Sequence, residues 1–187
     1  DIAQWIIDQC GPGQGPTTIK PVMVEARVPF DDNGNPTLDD RYNTPHRFTV
    51  QVNYPNDVLM EITSEGRNGI LVEGTQGRIF VNRGTIAGKP IEELENNPLP
   101  GGWLEDMYGG PVVEHVNNFF DCIASRKKPA SDVLTHVASI NTCHLSNIAI
   151  RLNRQLQWDA ITQTIKDDAV ANAMLKRDFR KGYEIEL

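Results

Sequence analysis

The sequence predicts an α+β fold: an open, mostly antiparallel sheet with helices packed on one face. Two observations predict it. Short alternating segments joined by turn residues fill the chain from 47 to 83, and after 111 the apolar period lengthens to a helical one. Strands first and helices afterwards is the order of a sheet covered from one side, not of alternating parallel units.

The elements follow in order. Ile2, Trp5, Ile6 and Gln9 fall at helical spacing, and Gly11-Pro12-Gly13 stops that helix. From Thr17 to Phe30 the chain is rich in β-branched residues, with Ile19, Val22, Val24 and Val28 along it. Pro21 and Pro29 predict an edge position or a bulge. Asp31-Asp32-Asn33-Gly34-Asn35-Pro36 is a loop by its turn residues. Phe48, Val50 and Val52 then alternate with Thr49, Gln51 and Asn53, and three more short segments follow: Val58 to Thr63, Gly69 to Glu73 and Arg78 to Asn82. Together they predict one four-stranded open sheet. Its second face is expected to meet water or a partner copy, with Met60, Ile62, Leu71 and Phe80 available for the latter.

A Gly/Pro-rich loop from Asn96 to Pro111 carries Trp103. After it Val112, Val116, Phe119, Phe120 and Ile123 form a helical stripe, with Pro111 at the first position and Arg126-Lys127-Lys128-Pro129 closing it. A second helix is expected from about Asp132 to Leu152, with Ser131 as N-cap and Asn153 as left-handed C-cap. Gln155 to Trp158 reads as a short strand and Asp168 to Lys176 as a last small helix. No internal repeat breaks the chain, and 187 residues suffice for one packed domain.

Composition narrows the function classes. A net charge of −7 without a basic face argues against nucleic acid, and no apolar run is long enough for a bilayer. Cys10, Cys122 and Cys143 are odd in number and widely spaced, so reduced, buried thiols in a cytoplasmic setting are expected. Gly11-Pro12-Gly13-Gln14-Gly15-Pro16 is a poor dinucleotide fingerprint, because its third glycine comes one residue early and two prolines remove N–H groups that should cradle pyrophosphate. His136 and His144 are eight residues apart, about 12 Å along a helix, whereas a helical zinc pair is spaced by four. No Gly-x-Ser-x-Gly elbow is present, and Cys122 sits near an apolar stripe where a core thiol is the simpler reading. Asp31-Asp32, Asp39-Asp40 and Asp167-Asp168 lie in polar surroundings that suit solvated charge better than acid–base work. No complete active site and no metal site is expected in this chain.

The run Glu114-His115-Val116-Asn117-Asn118-Phe119-Phe120-Asp121-Cys122-Ile123, then Ser125-Arg126-Lys127-Lys128-Pro129, Ser131-Asp132 and His136, is distinctive. It continues through Cys143-His144-Leu145-Ser146-Asn147-Ile148-Ala149, Arg151-Leu152 and Gln155-Leu156-Gln157-Trp158-Asp159. With Gly74-Thr75-Gln76-Gly77-Arg78-Ile79-Phe80-Val81-Asn82-Arg83-Gly84 and Ala171-Asn172-Ala173-Met174-Leu175, it resembles the bacterial-type C-terminal domain of the glucose–fructose oxidoreductase/inositol dehydrogenase (Gfo/Idh/MocA) family. The likeness is greatest to the branch abundant in planctomycetes and related bacteria. Two positions depart from that branch: Val137 stands where Arg is usual, and Ser146 where Gly is common.

The resemblance implies a single C-terminal substrate-binding and oligomerisation domain, residues 1–187, of a larger two-domain protein. It implies an N-terminal Rossmann domain binding NAD or NADP, with catalytic Lys and His outside this chain. Asp1-Ile2-Ala3-Gln4-Trp5 matches the Asp and Trp ends of a His-x-x-Asp-x-x-x-Trp stretch. The implied reaction is hydride exchange between nicotinamide and a carbinol carbon of a sugar or polyol; the chain alone is expected to be inactive and to bind no cofactor. A homo-oligomer through the sheet face is expected. The alternative is a non-catalytic sugar-binding or assembly module with the same fold.

Asp1, Trp5 and His136 are the substrate-binding candidates. Asp1 either orients the missing His and lines the pocket or complements a helix dipole. Trp5 packs between helix and sheet or lines the pocket. His136, near the start of its helix, reaches a pocket or is held by backbone in a core. Trp103 suits a lid or an intersubunit plug, and His115 at a helix start suits exposure.

Overall fold

The computed structural model describes residues 2–55, 57–108 and 110–184. Contacts divide the chain into two compact units, one from the residues up to Gly66 joined by those from Val133 onward, the other Arg67–Asp132.

The first unit is built on a five-stranded antiparallel sheet. Its strands are β1 (Thr18–Glu25), β2 (Arg47–Asn53), β3 (Leu59–Thr63), β7 (Leu156–Asp159) and β8 (Thr164–Ile165), in the spatial order β3-β2-β1-β7-β8. Register places Ile19 opposite both Val52 and Leu156, and Val50 opposite Ile62. Alternation sends Ile19, Val50, Val52 and Leu156 to one side, where they are buried. β1 lies inside the sheet, not at its edge, but β7 pairs with it only at Thr18 and Ile19. A bulge between Pro21 and Met23 accommodates the residue that lacks an N–H.

The covering helix is α5 (Val133–Leu152), which packs against β1 and β2. Leu145, Ile148, Ala149 and Ile150 join the sheet residues, Tyr54, Trp158 and Ile165 in one core. The helix ends in a left-handed residue: Asn153 has φ 48°, its N–H meets the Ile150 carbonyl, and the Arg154 N–H reaches Ala149. These are the two bonds of a Schellman turn, as Asn after the last apolar residue predicts. The short α1 (Ile2–Ile6) closes the same way, with Asp8 at φ 51° and the Gln9 N–H on the Gln4 carbonyl. At the far end α6 (Ala169–Ala173) is capped by Asp168, whose carboxylate accepts from the Ala171 N–H and pairs with Arg154 at 2.8 Å.

The second unit holds β4 (Ile70–Gly74), β5 (Gly77–Val81) and β6 (Ile86–Ala87) as a three-stranded antiparallel sheet. Phe80 is fixed between the Arg67 guanidinium, 4.3 Å from its ring centre, and Gly69, where a Cβ would strike the ring. α2 (Lys89–Glu92) and a 3-10 turn (Glu93–Glu95) follow, then α3 (Trp103–Tyr108) inside the expected Gly/Pro loop, and α4 (His115–Ser125).

Several expectations change. The four strands from 47 to 83 do not form one sheet: the first two belong to the five-stranded sheet, the next two to the three-stranded one. Alternation reports that one face of a strand is buried, but not which strand lies beside it. Met60 and Ile62 pack against the core, so they are not on the free face. α4 begins at His115 with Glu114 as its N-cap residue, so Pro111 precedes the helix, and although the apolar stripe is present no residue of α4 is buried. Cys122 and Cys10 are half-buried and Cys143 is exposed, all three free, so none is a core thiol. Among the described residues no helix is long and apolar enough to cross a membrane.

Candidate functional site

Trp5 and His136, far apart in the chain, meet. α1 lies against the first half of α5, and the two rings contact edge to face with centroids 6.1 Å apart and planes at 71°. Trp5 is 45% exposed, so the indole offers an open apolar face beside a half-buried imidazole. Asp1 lies outside the described residues.

The docking of α1 splits the residues read at helical spacing. Ile2, Trp5 and Ile6 are each about half exposed, while Gln9 is buried together with Gln4. Trp5 is partly covered, with the His136 ring of α5 against it. Burial of two amides is tolerated because each is hydrogen-bonded. The Gln4 Nε2 donates to the Gln9 carbonyl at 3.1 Å and to the Ala138 carbonyl on α5 at 3.4 Å. The Gln9 Oε1 accepts from the Gly15 N–H at 3.4 Å. Composition offers little warning of this, since a Gln between Ala3 and Trp5 has the same spacing whether it faces in or out.

A polar seam continues along the buried side of α5. Cys10 Sγ lies 3.5 Å from the Ser139 hydroxyl, and the Tyr54 and Thr142 hydroxyls are 3.0 Å apart. The Ser146 hydroxyl donates to the Thr142 carbonyl at 2.7 Å. Burial pushes the Tyr54 phenol up to about 12, against a smaller opposing pull from Thr142. These groups rigidify the helix seat and do not reach the surface at Trp5. Val137, which occupies the position where Arg was expected, is an exposed apolar neighbour of His136 and brings no charge to it.

The glycine-rich loop after α1 is self-satisfied. The Gly11 N–H donates to Gln14 Oε1 at 2.6 Å, the Gln14 N–H to the Gly11 carbonyl, and the Gly15 N–H to Gln9. Donors already committed inside a turn cannot cradle a pyrophosphate, so these residues do not fit a dinucleotide. The Asp31 carboxylate likewise organises its own loop, accepting from the Asn35 and Asn33 N–H groups, and the Asn35 bond above all holds its pKa below the ordinary value. Among the described residues no group of His, Cys, Asp and Glu is placed to hold a metal.

In the second unit His115 is exposed and lines a shallow depression of about 300 Å³ with Phe119, Phe120 and Pro129. Trp103 stands on α3, 44% exposed.

A family model described as the oxidoreductase family, C-terminal alpha/beta domain, of the Gfo/Idh/MocA group matches residues 18–185. His136 lies inside that stretch and Trp5 before it. No curated protein and no solved structure matches the chain. Nearly the whole sequence is thus accounted for by one family description that agrees with the antiparallel α+β layers, and the chain belongs to the Gfo/Idh/MocA oxidoreductase family as its C-terminal alpha/beta domain.

Proposed function

We propose that this chain supplies the substrate-facing surface of an NAD- or NADP-dependent dehydrogenase acting on a sugar, a polyol or a related carbinol, with Trp5 and His136 as contact residues. The observation that carries the reading is the exposed indole held against an imidazole on a family domain of oxidoreductases. Aromatic faces suit the apolar C–H side of a sugar ring, and an imidazole can hydrogen-bond a hydroxyl. Asp1, outside the described residues, is proposed as a further contact residue. The nicotinamide and the acid–base groups are assigned to residues outside this chain, so no chemical step is routed through it.

Assembly into a homo-oligomer through the outer face of the five-stranded sheet is part of the same proposal. That face is mostly polar, with Leu59 exposed on it, the Thr49 and Thr63 hydroxyls 3.0 Å apart and Arg47 bonded to both Glu25 and Glu65. Contact there would rest on polar complementarity more than on apolar burial.

The test is a panel of sugars and polyols assayed for NAD(P)H-linked turnover in the intact protein, with Trp5→Ala and His136→Ala compared to wild type. The expected result is turnover of at least one carbinol, with KM raised about tenfold or more by either substitution, a loss of about 1.4 kcal/mol of binding. Sugar binding without nicotinamide turnover would select the non-catalytic binding module instead.

A further inference from the structure

We propose that Gln4 is the positioning residue of the Trp5–His136 pair, a role that builds on the reading of that pair as substrate-facing. The problem it answers is how α1 keeps its place. The helix is five residues long, far below the length that holds a helix together in water, and it has neither an acidic first turn nor a basic last one. Three of its apolar side chains, Ile2, Trp5 and Ile6, are about half exposed, and the apolar anchor is Ile7, just past its end, packed against the core. The side chain it does bury is the amide of Gln4, 3% exposed.

That amide has two N–H donors and uses them in two directions. One closes the local turn onto the Gln9 carbonyl, and the other crosses to α5 and meets the Ala138 carbonyl. The crossing bond joins the neighbours of the two rings: Gln4 precedes Trp5, and Ala138 lies two residues beyond His136. A carbonyl has two lone pairs, so Ala138 can accept from Gln4 without surrendering its place in the helix. The turn bond matters equally. It ties Gln9, and through Gln9 the Gly15 N–H, to the same side chain, so α1 is fastened at its body and at its exit.

Apolar packing alone would let α1 slide or roll on α5, because dispersion is non-directional. A two-donor clamp fixes both the rotation of α1 and its height along α5, which sets the edge-to-face approach of the rings. An isosteric Gln4→Met keeps the volume and removes both donors. Gln4→Glu keeps the shape but turns a carboxylate toward two carbonyl oxygens.

The experiment is nuclear magnetic resonance on the 187-residue chain, reading cross-relaxation between the Trp5 indole and His136 ring protons. Contact between Tyr54 and Thr142, further along α5, serves as the control for an intact core. In wild type the Trp5–His136 cross-peak is expected, and in Gln4→Met and Gln4→Glu it falls to less than about half while the Tyr54–Thr142 contact persists. A Gln4→Met cross-peak as strong as wild type, or its absence from wild type, overturns the proposal. Should both variants lose the control contact, the wild-type chain decides. The Gln4 side-chain amide protons should exchange at least about tenfold more slowly than those of exposed Gln76; equal rates overturn the clamp. In the intact protein Gln4→Met should raise KM for the carbinol several-fold with kcat little changed. A lost cross-peak with KM unmoved in both Gln4→Met and His136→Ala keeps the positioning role and removes the substrate-facing reading.

Discussion

The two halves of α5 carry similar numbers of apolar residues and live in different surroundings. In the second half Leu145 is 1% exposed, and Ile148, Ala149 and Ile150 are buried with it against β1 and β2. In the first half Val133 and Leu134 are about two-thirds exposed, and Ile140 about half. The contrast teaches that the apolar side chains of α5 are buried where β1 and β2 lie against them. In the first half Gln4 donates to the Ala138 carbonyl, and Cys10 Sγ lies 3.5 Å from the Ser139 hydroxyl.

The comparison can be broken most sharply at its extremes. Leu145→Ala should cost about 2–5 kcal/mol, read from urea denaturation, because it opens a cavity in the core. Leu134→Ala should change the unfolding free energy by less than about 0.5 kcal/mol in the same measurement. Equal losses at the two positions would mean that the first half is as well packed as the second.

Next in size is the buried hydroxyl pair. The Tyr54 phenol, raised by burial from 10.0 to about 12, binds its proton more tightly folded than unfolded. A group raised in this way contributes fully below its unfolded value and loses that contribution as pH climbs from about 10 to 12. The loss should reach about 2–3 kcal/mol across that window. Tyr54→Phe removes this part of the alkaline decline and costs about 1 kcal/mol near neutrality through the lost hydrogen bond.

Just beyond the buried half, Asp168 caps α6 and pairs with Arg154. Its pKa is held below 3.8 chiefly by the Arg154 bond, with burial acting the other way. The stability it contributes is present above about pH 4 and lost as pH falls through the lowered folded value. Asp168→Ala should cost about 1–2 kcal/mol at neutral pH, and thermal melts of wild type and variant should converge in acid. The smallest effect belongs to the left-handed turn: Asn153→Gly should stabilise the chain by no more than about 1 kcal/mol, measured as a rise in Tm.

Much of unit architecture was legible from residue order. Alternation at Phe48, Val50 and Val52 marks β2 correctly, and Asn153 ends α5 where its left-handed tolerance predicts. Strand partnership was not legible, because the turn from Ser64 to Asn68 carries no sign that β3 and β4 belong to different sheets. Helix bounds were legible for α5, whereas spacing alone left open which side of α1 is covered, and there the amides Gln4 and Gln9 went inward. Trp5 and His136 were both nominated from the resemblance, yet their contact depends on Gln4, a residue without a motif. A single buried amide leaves no periodic trace, which is why it escaped.

The pairing of Ile19 with Leu156 has a consequence for how the polypeptide matures on the ribosome. Three strands emerge early with Ile19, Val50 and Val52 on one side, and their cover, α5, arrives only after all of Arg67–Asp132 has been made. During that interval a sticky apolar surface faces the cell unshielded, and a neighbouring nascent copy can reach it first. A stall placed before Val133 should therefore lengthen that interval and send the product into aggregates.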